Sequence, residues 1–199
     1  MGDDSLPKVL FVSFYLKGGN MFRLVKMLDH KTTEWSGGKT SEIFIWPPYG
    51  NYSTREFDWR LSSATVEAPE SDFTVLGGFD RYITVLNGEL NLSHEDGVNH
   101  LINGNKEYGF NGGAKTHSFG KAIDFNLIYK SEMKCKMDRK VLEKGENVLL
   151  KISNGGFMGV HLVSGEVEVT LEKDEKAMSI YAMESADVII CFNYDIMSI

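Results

Sequence analysis

The chain is expected to be all-β, built from two copies of one barrel-like module, with one short helix near its N-terminus. Three observations predict this. Short runs of alternating β-branched and aromatic residues recur at 41–46, 57–66, 81–86, 89–93, 123–129, 147–152, 159–163, 166–171, 178–182 and 187–192, the period-2 pattern of half-buried strands. Turn formers separate them, among them Pro47-Pro48, Gly77-Gly78, Asn87-Gly88, Asn103-Gly104 and Ser164-Gly165. An internal repeat is also present. Ile83–Leu92 reads ITVLNGELNL and Val160–Val169 reads VHLVSGEVEV, and the shared glycines, Gly88 and Gly165, lie 77 positions apart. Each copy reads as strand, two-residue turn, strand. Each is followed by a second acidic-then-apolar strand, Glu107-Tyr108-Gly109-Phe110 or Asp187-Val188-Ile189-Ile190. Many short strands with tight turns make a sandwich or a barrel.

Taken in order, Lys8–Leu16 reads as a strand ended by Gly18-Gly19. Its apolar run is too short to span a bilayer. It follows Asp3 and Asp4 and lacks a small-residue cleavage site, so it is a poor secretion signal. Asn20 is a plausible helix cap, and Phe22, Val25, Met27 and Leu28 form an apolar stripe up to Asp29.

Next comes EWSGGKTSEIFIWPP, Glu34–Pro48, whose Gly38-Lys39-Thr40 matches the end of a phosphate-binding loop. That motif needs a glycine five positions earlier, where Thr33 stands, and a helix after it. The following Ser-Glu-Ile-Phe-Ile-Trp run is β-rich and stops at two prolines. The nucleotide reading fails, and the glycines are read as the turn into a strand.

Composition narrows the function classes. Aromatic residues make up 12% of the 199 and hydrophobic residues 42%, enough for a real core. The net charge of −7 argues against nucleic acid or an anionic membrane as the main partner. Cys135 and Cys191 are two lone thiols, which suggests a reducing, cytoplasmic setting and no disulfide framework. The five histidines form no His-x-His motif with a carboxylate. His94 and His100 flank Glu95-Asp96-Gly97 and read as a solvated loop, so neither metal nor another cofactor is expected. There is no Gly-x-Ser-x-Gly elbow for nucleophilic catalysis.

The candidate site comes from polar residues at i and i+2 within apolar strands, where both side chains face one way. These are Thr40 and Glu42, Arg60 and Ser62, and Asp124 and Asn126, with Asp80-Arg81 opening the repeated segment. Burying such groups costs several kcal/mol unless they pair. If their faces converge, they make either a polar pocket or a structural ion network. Arginine's planar fork suits a carboxylate-bearing ligand. Trp35 and Trp59 are candidates for lining it, although buried tryptophans are usually core.

The segments DHKTTEWSGGKTSEI, FDWRLSSATV, FTVLGGFDRYITVLNGEL and DFNLI, in this order, resemble the HutD/Ves family of bacterial proteins. The likeness is clearest from Phe22 to Tyr129 and weaker through the second repeat to Phe192. The family pattern falls on Trp35, Gly37, Gly38, Thr40 and Glu42, on Trp59, Arg60 and Ser62, on Asp80-Arg81, and on Asp124 to Asn126. The loop between Trp35 and Thr40 is shorter than in many relatives, and the extension before Asn20 is outside the pattern.

The resemblance implies a bicupin, two double-stranded β-helix (jelly-roll) barrels in one chain. Residues 1–19 would be an extension, 20–122 the first barrel and 123–199 the second, packed as one unit. It implies a non-metal protein without established catalysis, a small carboxylate metabolite as partner, and a sensing or regulatory role linked to histidine utilisation or stress. Under that reading Arg60, with Arg81, holds the carboxylate. Ser62, Thr40 and Asn126 supply neutral hydrogen bonds, and Glu42 or Asp124 accepts from a ligand N–H. The alternatives are an isomerase or hydrolase with Glu42 or Asp124 as base, and a dimerising cupin without a ligand. Val9–Tyr15 is the edge strand that a homodimer would exchange.

Overall fold

In the computed structural model, residues 10–16, 20–26, 31–104, 106–151, 157–171 and 177–193 are described; the side chains of 10–16, 20–26 and 171 are not. The described residues form seventeen strands and one short 3-10 turn at Ser131–Met133.

The expected helix is corrected. Asn20–Lys26 is strand β2, paired antiparallel with β1 (Leu10–Leu16) from Leu10↔Lys26 to Leu16↔Asn20. Met27 to Asp29, its expected last residues, lie outside the described residues. An isolated helix of this length is marginal, whereas pairing with β1 extends an existing sheet.

The chain divides into two compact units. One comprises the described residues of Asp29–Lys134, the other those of Met1–Leu28 with Cys135–Ile199. In the first, the sheet order is β3 (Lys31–Trp35), β4 (Gly38–Trp46), β5 (Trp59–Val66), β11 (Ala122–Lys130), β7 (Phe79–His94), β10 (Thr116–Phe119), β6 (Glu70–Asp72). β8 (Asn99–Asn103) and β9 (Glu107–Asn111) also pair with β7. β11 therefore sits inside this unit, between β5 and β7, and the division between units falls after Lys134. The second unit contains the sheet β12 (Cys135–Leu142), β17 (Ala186–Asn193), β14 (Phe157–Ser164), β1, β2, and the sheet β13 (Asn147–Lys151), β16 (Ala177–Ala182), β15 (Val167–Leu171).

The Asn87-Gly88 turn is also corrected. β7 runs unbroken for 16 residues through it. Its first part pairs with β11 and β9, and its second with β8 and β10, so Gly88 marks a corner and not a hairpin. Gly88 has φ 82°, and a Cβ there would lie 2.3 Å from the Lys121 carbonyl oxygen. Gly165 plays the same part: φ is 85°, a Cβ would lie 2.2 Å from the Ser185 carbonyl oxygen, and β14 before it and β15 after it join different sheets. Only glycine combines positive φ with that close an approach.

Both faces of β5 and β11 are covered. Trp59, Leu61, Phe125 and Leu127 alternate with the polar positions and are fully buried. Ile83, Val85, Leu90, Leu92, Ile102 and Ala122 form one apolar cluster in this unit, and Phe57, Leu76, Phe79 and Ile128 another. The second unit has its own core, including Met158, Val160, Ile180, Val188 and Ile190. Among the described residues, no helix is long and apolar enough to cross a membrane.

Candidate functional site

A cavity of about 500 Å³ opens in the unit of residues 29–134, within the usual range for small-molecule sites. Its wall is built from the ladder β4–β5–β11–β7. The pairings Thr40↔Ala64↔Asp124 and Glu42↔Ser62↔Asn126 form two rows across the sheet. A bulge between Glu42 and Phe44 shifts the register, so the third row is Ile45↔Arg60↔Ile128↔Arg81. The extra residue sets Ile45, not Phe44, opposite Arg60.

Eight of the ten expected site residues line this cavity: Trp35, Thr40, Glu42, Arg60, Ser62, Arg81, Asp124 and Asn126. Two do not. Trp59 is one residue from Arg60 and so faces the other way; it is wholly buried, with its ring stacked on Phe44 at 4.9 Å. Asp80 adjoins Arg81 in the same manner, and its Oδ1 accepts from Asn111 Nδ2 at 2.9 Å. Neither lines the cavity.

The two arginines differ in how far they are engaged. Arg60 Nε donates to Glu42 Oε2 at 2.7 Å, and its Nη1 donates to Ser62 Oγ at 3.0 Å. Its guanidinium also lies over the Tyr52 ring, 4.4 Å from the centroid. Arg81 is 7% exposed, and its guanidinium lies 4.7 Å from the Phe73 ring centroid and 5.5 Å from that of Phe110. Its Nη2 donates a long bond to Asn126 Oδ1, 3.3 Å, and its buried Nε has no hydrogen-bond partner among the described residues. Burial pulls the Arg81 guanidinium down to about 10, against the pull of Tyr52 and Asp124 in the other direction, so it stays charged at neutral pH.

Asp124 completes the chain. Its Oδ1 accepts from Asn126 Nδ2 at 2.6 Å and from the Ala64 N–H at 3.2 Å. At 2% exposure, burial pushes its carboxyl up to about 7; the Ala64 N–H, Arg81 and Asn126 oppose the rise.

Trp35 lines the cavity and is 38% exposed. It closes β3 opposite Gly38, and its ring folds over the turn so closely that a Cβ on Gly37 would lie 2.1 Å from it. Gly38 itself passes over β5, where a Cβ would lie 1.9 Å from the Thr65 carbonyl oxygen. Gly-Lys-Thr is thus the start of a strand, not a phosphate loop.

Sequence reasoning missed Tyr52 and Phe73, the aromatic faces behind the two guanidiniums. Both lie outside regular strands, where no periodicity marks which way a ring points. The reading of His94 and His100 as a solvated loop is corrected as well. They lie on β7 and β8, and their rings pack with Tyr108 and Phe110. His94 Nδ1 and Nε2 lie 2.9 Å from Thr116 Oγ1 and from the Tyr108 hydroxyl.

Several solved structures share this architecture. The chain is 21% identical to HutD from Pseudomonas fluorescens SBW25, solved in a formate condition, with TM-score 0.56 and coverage of 92% of this chain and 96% of that one. It is 20% identical to the conserved protein of unknown function PA5104 from Pseudomonas aeruginosa PAO1, with TM-score 0.58 and coverage of 86% and 97%. The bacterial pirin YhhW from Escherichia coli, solved in complex with nickel(II), is 14% identical, with TM-score 0.64 and coverage of 87% and 98%. At these identities the likeness shows the fold, which is cupin-like. Among curated proteins no sequence match was found. The HutD family pattern matches residues 27–198, nearly the whole length, and the chain belongs to the HutD family.

Proposed function

We propose that the cavity binds a small metabolite through its carboxylate and that the protein senses or regulates with that ligand, without catalysing a reaction. The observation that carries this is that Arg81 lines the cavity with one long hydrogen bond, to Asn126, and no carboxylate within ion-pair distance among the described residues. A buried guanidinium without a paired carboxylate is costly, and an incoming carboxylate relieves that cost. Glu42 already balances Arg60, so Arg81 is the principal anchor and Arg60 the second. Ser62, Thr40 and Asn126 offer neutral hydrogen bonds. The Tyr52 and Phe73 rings sit behind the guanidiniums and limit the water that would screen them.

The wider setting belongs to the same proposal: a cytoplasmic bicupin, active in histidine utilisation or a stress response. Two equivalent corner glycines, Gly88 and Gly165, support the two-barrel reading. Homodimerisation is proposed on cupin likeness alone.

A thermal-shift screen against small mono- and dicarboxylates tests the binding reading. A ligand at a hundredfold excess over its Kd stabilises by about 2.7 kcal/mol. Stabilisation by carboxylates and not by their amides supports it; no response to any carboxylate sinks it. A second reading, an isomerase or hydrolase, is favoured by one feature, the buried Asp124 carboxyl near neutrality. Turnover with a bell-shaped pH profile that Asp124→Asn abolishes would establish it.

A further inference from the structure

We propose that a carboxylate enters this cavity together with one proton, which Asp124 takes up, so that the preferred ligand is a monoanion carrying a neutral hydrogen-bond acceptor. The inference rests on the carboxylate-binding reading above and specifies its ligand class and its pH control.

Charge pairing differs between the two arginines of the three rows. Arg60 and Glu42 form a closed pair at 2.7 Å. Among the described residues, Arg81 has no carboxylate in direct contact. Its counter-charge is Asp124, reached through one neutral amide: Arg81 Nη2–H to Asn126 Oδ1, then Asn126 Nδ2–H to Asp124 Oδ1. With Asp124 ionised, the four groups sum to zero. A ligand carboxylate on Arg81 then leaves one uncompensated negative charge among buried groups. It also takes over the guanidinium that favours ionised Asp124 and sets a like charge near it. Both effects favour the neutral carboxyl.

The hydrogen bonds say where the proton goes. Asp124 Oδ1 already accepts from two N–H groups, Ala64 and Asn126. The proton therefore sits on Oδ2. One proton passes from solvent to that oxygen, while the ligand's own carboxylate stays ionised. The resulting O–H is a donor on a cavity-lining residue, so the complementary ligand group is an acceptor such as a carbonyl. A ligand ammonium at that end would need Asp124 ionised and would take up no proton. Burial places the empty site near the threshold, with the carboxyl pushed up to about 7.

Other charged groups face the cavity from each neighbouring element. Lys31 stands on β3, Glu42 on β4, Arg60 on β5 and Asp72 on β6, with Tyr52 in the loop before β5. Asp72 is engaged with His117, 2.7 Å away. His117 is the rival source of a pH effect near neutrality, since the Asp72 hydrogen bond raises it above its ordinary range.

The test is a titration of the full chain with levulinate, a monocarboxylate with a ketone, and with valerate, its analogue lacking the carbonyl. Affinity is measured by calorimetry between about pH 6 and 9 in buffers of different ionisation heat. For wild type, levulinate binding should weaken by up to about tenfold per pH unit above neutrality, with uptake of up to one proton. Levulinate should bind roughly fivefold tighter than valerate, the worth of one hydrogen bond. Asp124→Asn is nearly isosteric, keeps the acceptor at Oδ1 and mimics the protonated acid. It should bind levulinate at the upper pH as tightly as wild type does at the lower, with no proton uptake.

Wild-type binding that is independent of pH overturns the proposal. So does a pH slope that survives in Asp124→Asn, which would assign it to His117. Equal affinity for levulinate and valerate overturns the ligand class. If neither probe binds at any pH, the carboxylate reading itself fails; if both bind without proton uptake, only the present inference does.

Discussion

Arg81 and Asp124 stand on neighbouring strands and are joined through the side-chain amide of Asn126, which accepts from the guanidinium at 3.3 Å and donates to the carboxylate at 2.6 Å. The ladder makes this contact. Ile128 is Arg81's register partner, and Asn126 and Asp124 follow at steps of two on the same face of β11.

Arg81→Ala should weaken levulinate binding by at least about tenfold. It should also lower the melting temperature, because Asn126 loses its donor and Asp124 its counter-charge, so affinity is read well below the variant's melting temperature. Arg81→Lys keeps the charge but not the fork, and should fall between. Calorimetry and a thermal melt check both.

Glu42→Gln should act oppositely on binding. It removes the charge that holds Arg60 and frees a second guanidinium for the ligand. Carboxylate affinity should rise several-fold, while stability drops by about 1 kcal/mol as a charge-assisted bond becomes a neutral one. Tighter binding in the less stable variant is the signature, read by calorimetry beside urea denaturation.

Asp124 also shapes stability against pH. Its folded-state value, about 7, lies above the ordinary 3.8, so the folded protein holds the extra proton between them. The stabilisation is fully present below the ordinary value and is lost as pH rises to about 7. The whole effect is about 4 kcal/mol. The stability difference between wild type and Asp124→Asn, from urea melts at about pH 4.5 and 8, should therefore move in favour of the variant as pH rises.

Gly88→Ala and Gly165→Ala should each destabilise by more than about 2 kcal/mol, since a positive φ combines with a carbonyl oxygen inside van der Waals contact. Gly97→Ala is the control. Its φ of 75° carries the backbone cost, but its Cβ meets open space, so about 1 kcal/mol is expected. Chemical denaturation of the three variants separates the two costs.

Much of this site was legible because strand parity is strict. Thr40 with Glu42, Arg60 with Ser62 and Asp124 with Asn126 each read as one face, and each lines the cavity. The same parity excludes Trp59 and Asp80, which adjoin Arg60 and Arg81 and so point away. Parity says nothing about loops, which hid Tyr52. It cannot place a bulge either, and the one between Glu42 and Phe44 sets Ile45, not Phe44, opposite Arg60. The segment Asn20–Lys26 was misread because a handful of residues with apolar positions at Phe22 and Val25 fits either period. Its partner strand decided the outcome. Asn87-Gly88 has the letters of a hairpin turn, but the chain uses its glycine to pass close over Lys121.

The central claim is that Arg81 holds a ligand carboxylate. A crystal structure of the protein soaked with levulinate tests it most directly. A carboxylate oxygen is expected within about 3 Å of a nitrogen of the Arg81 guanidinium. A carboxylate seated elsewhere, away from that guanidinium, would contradict it.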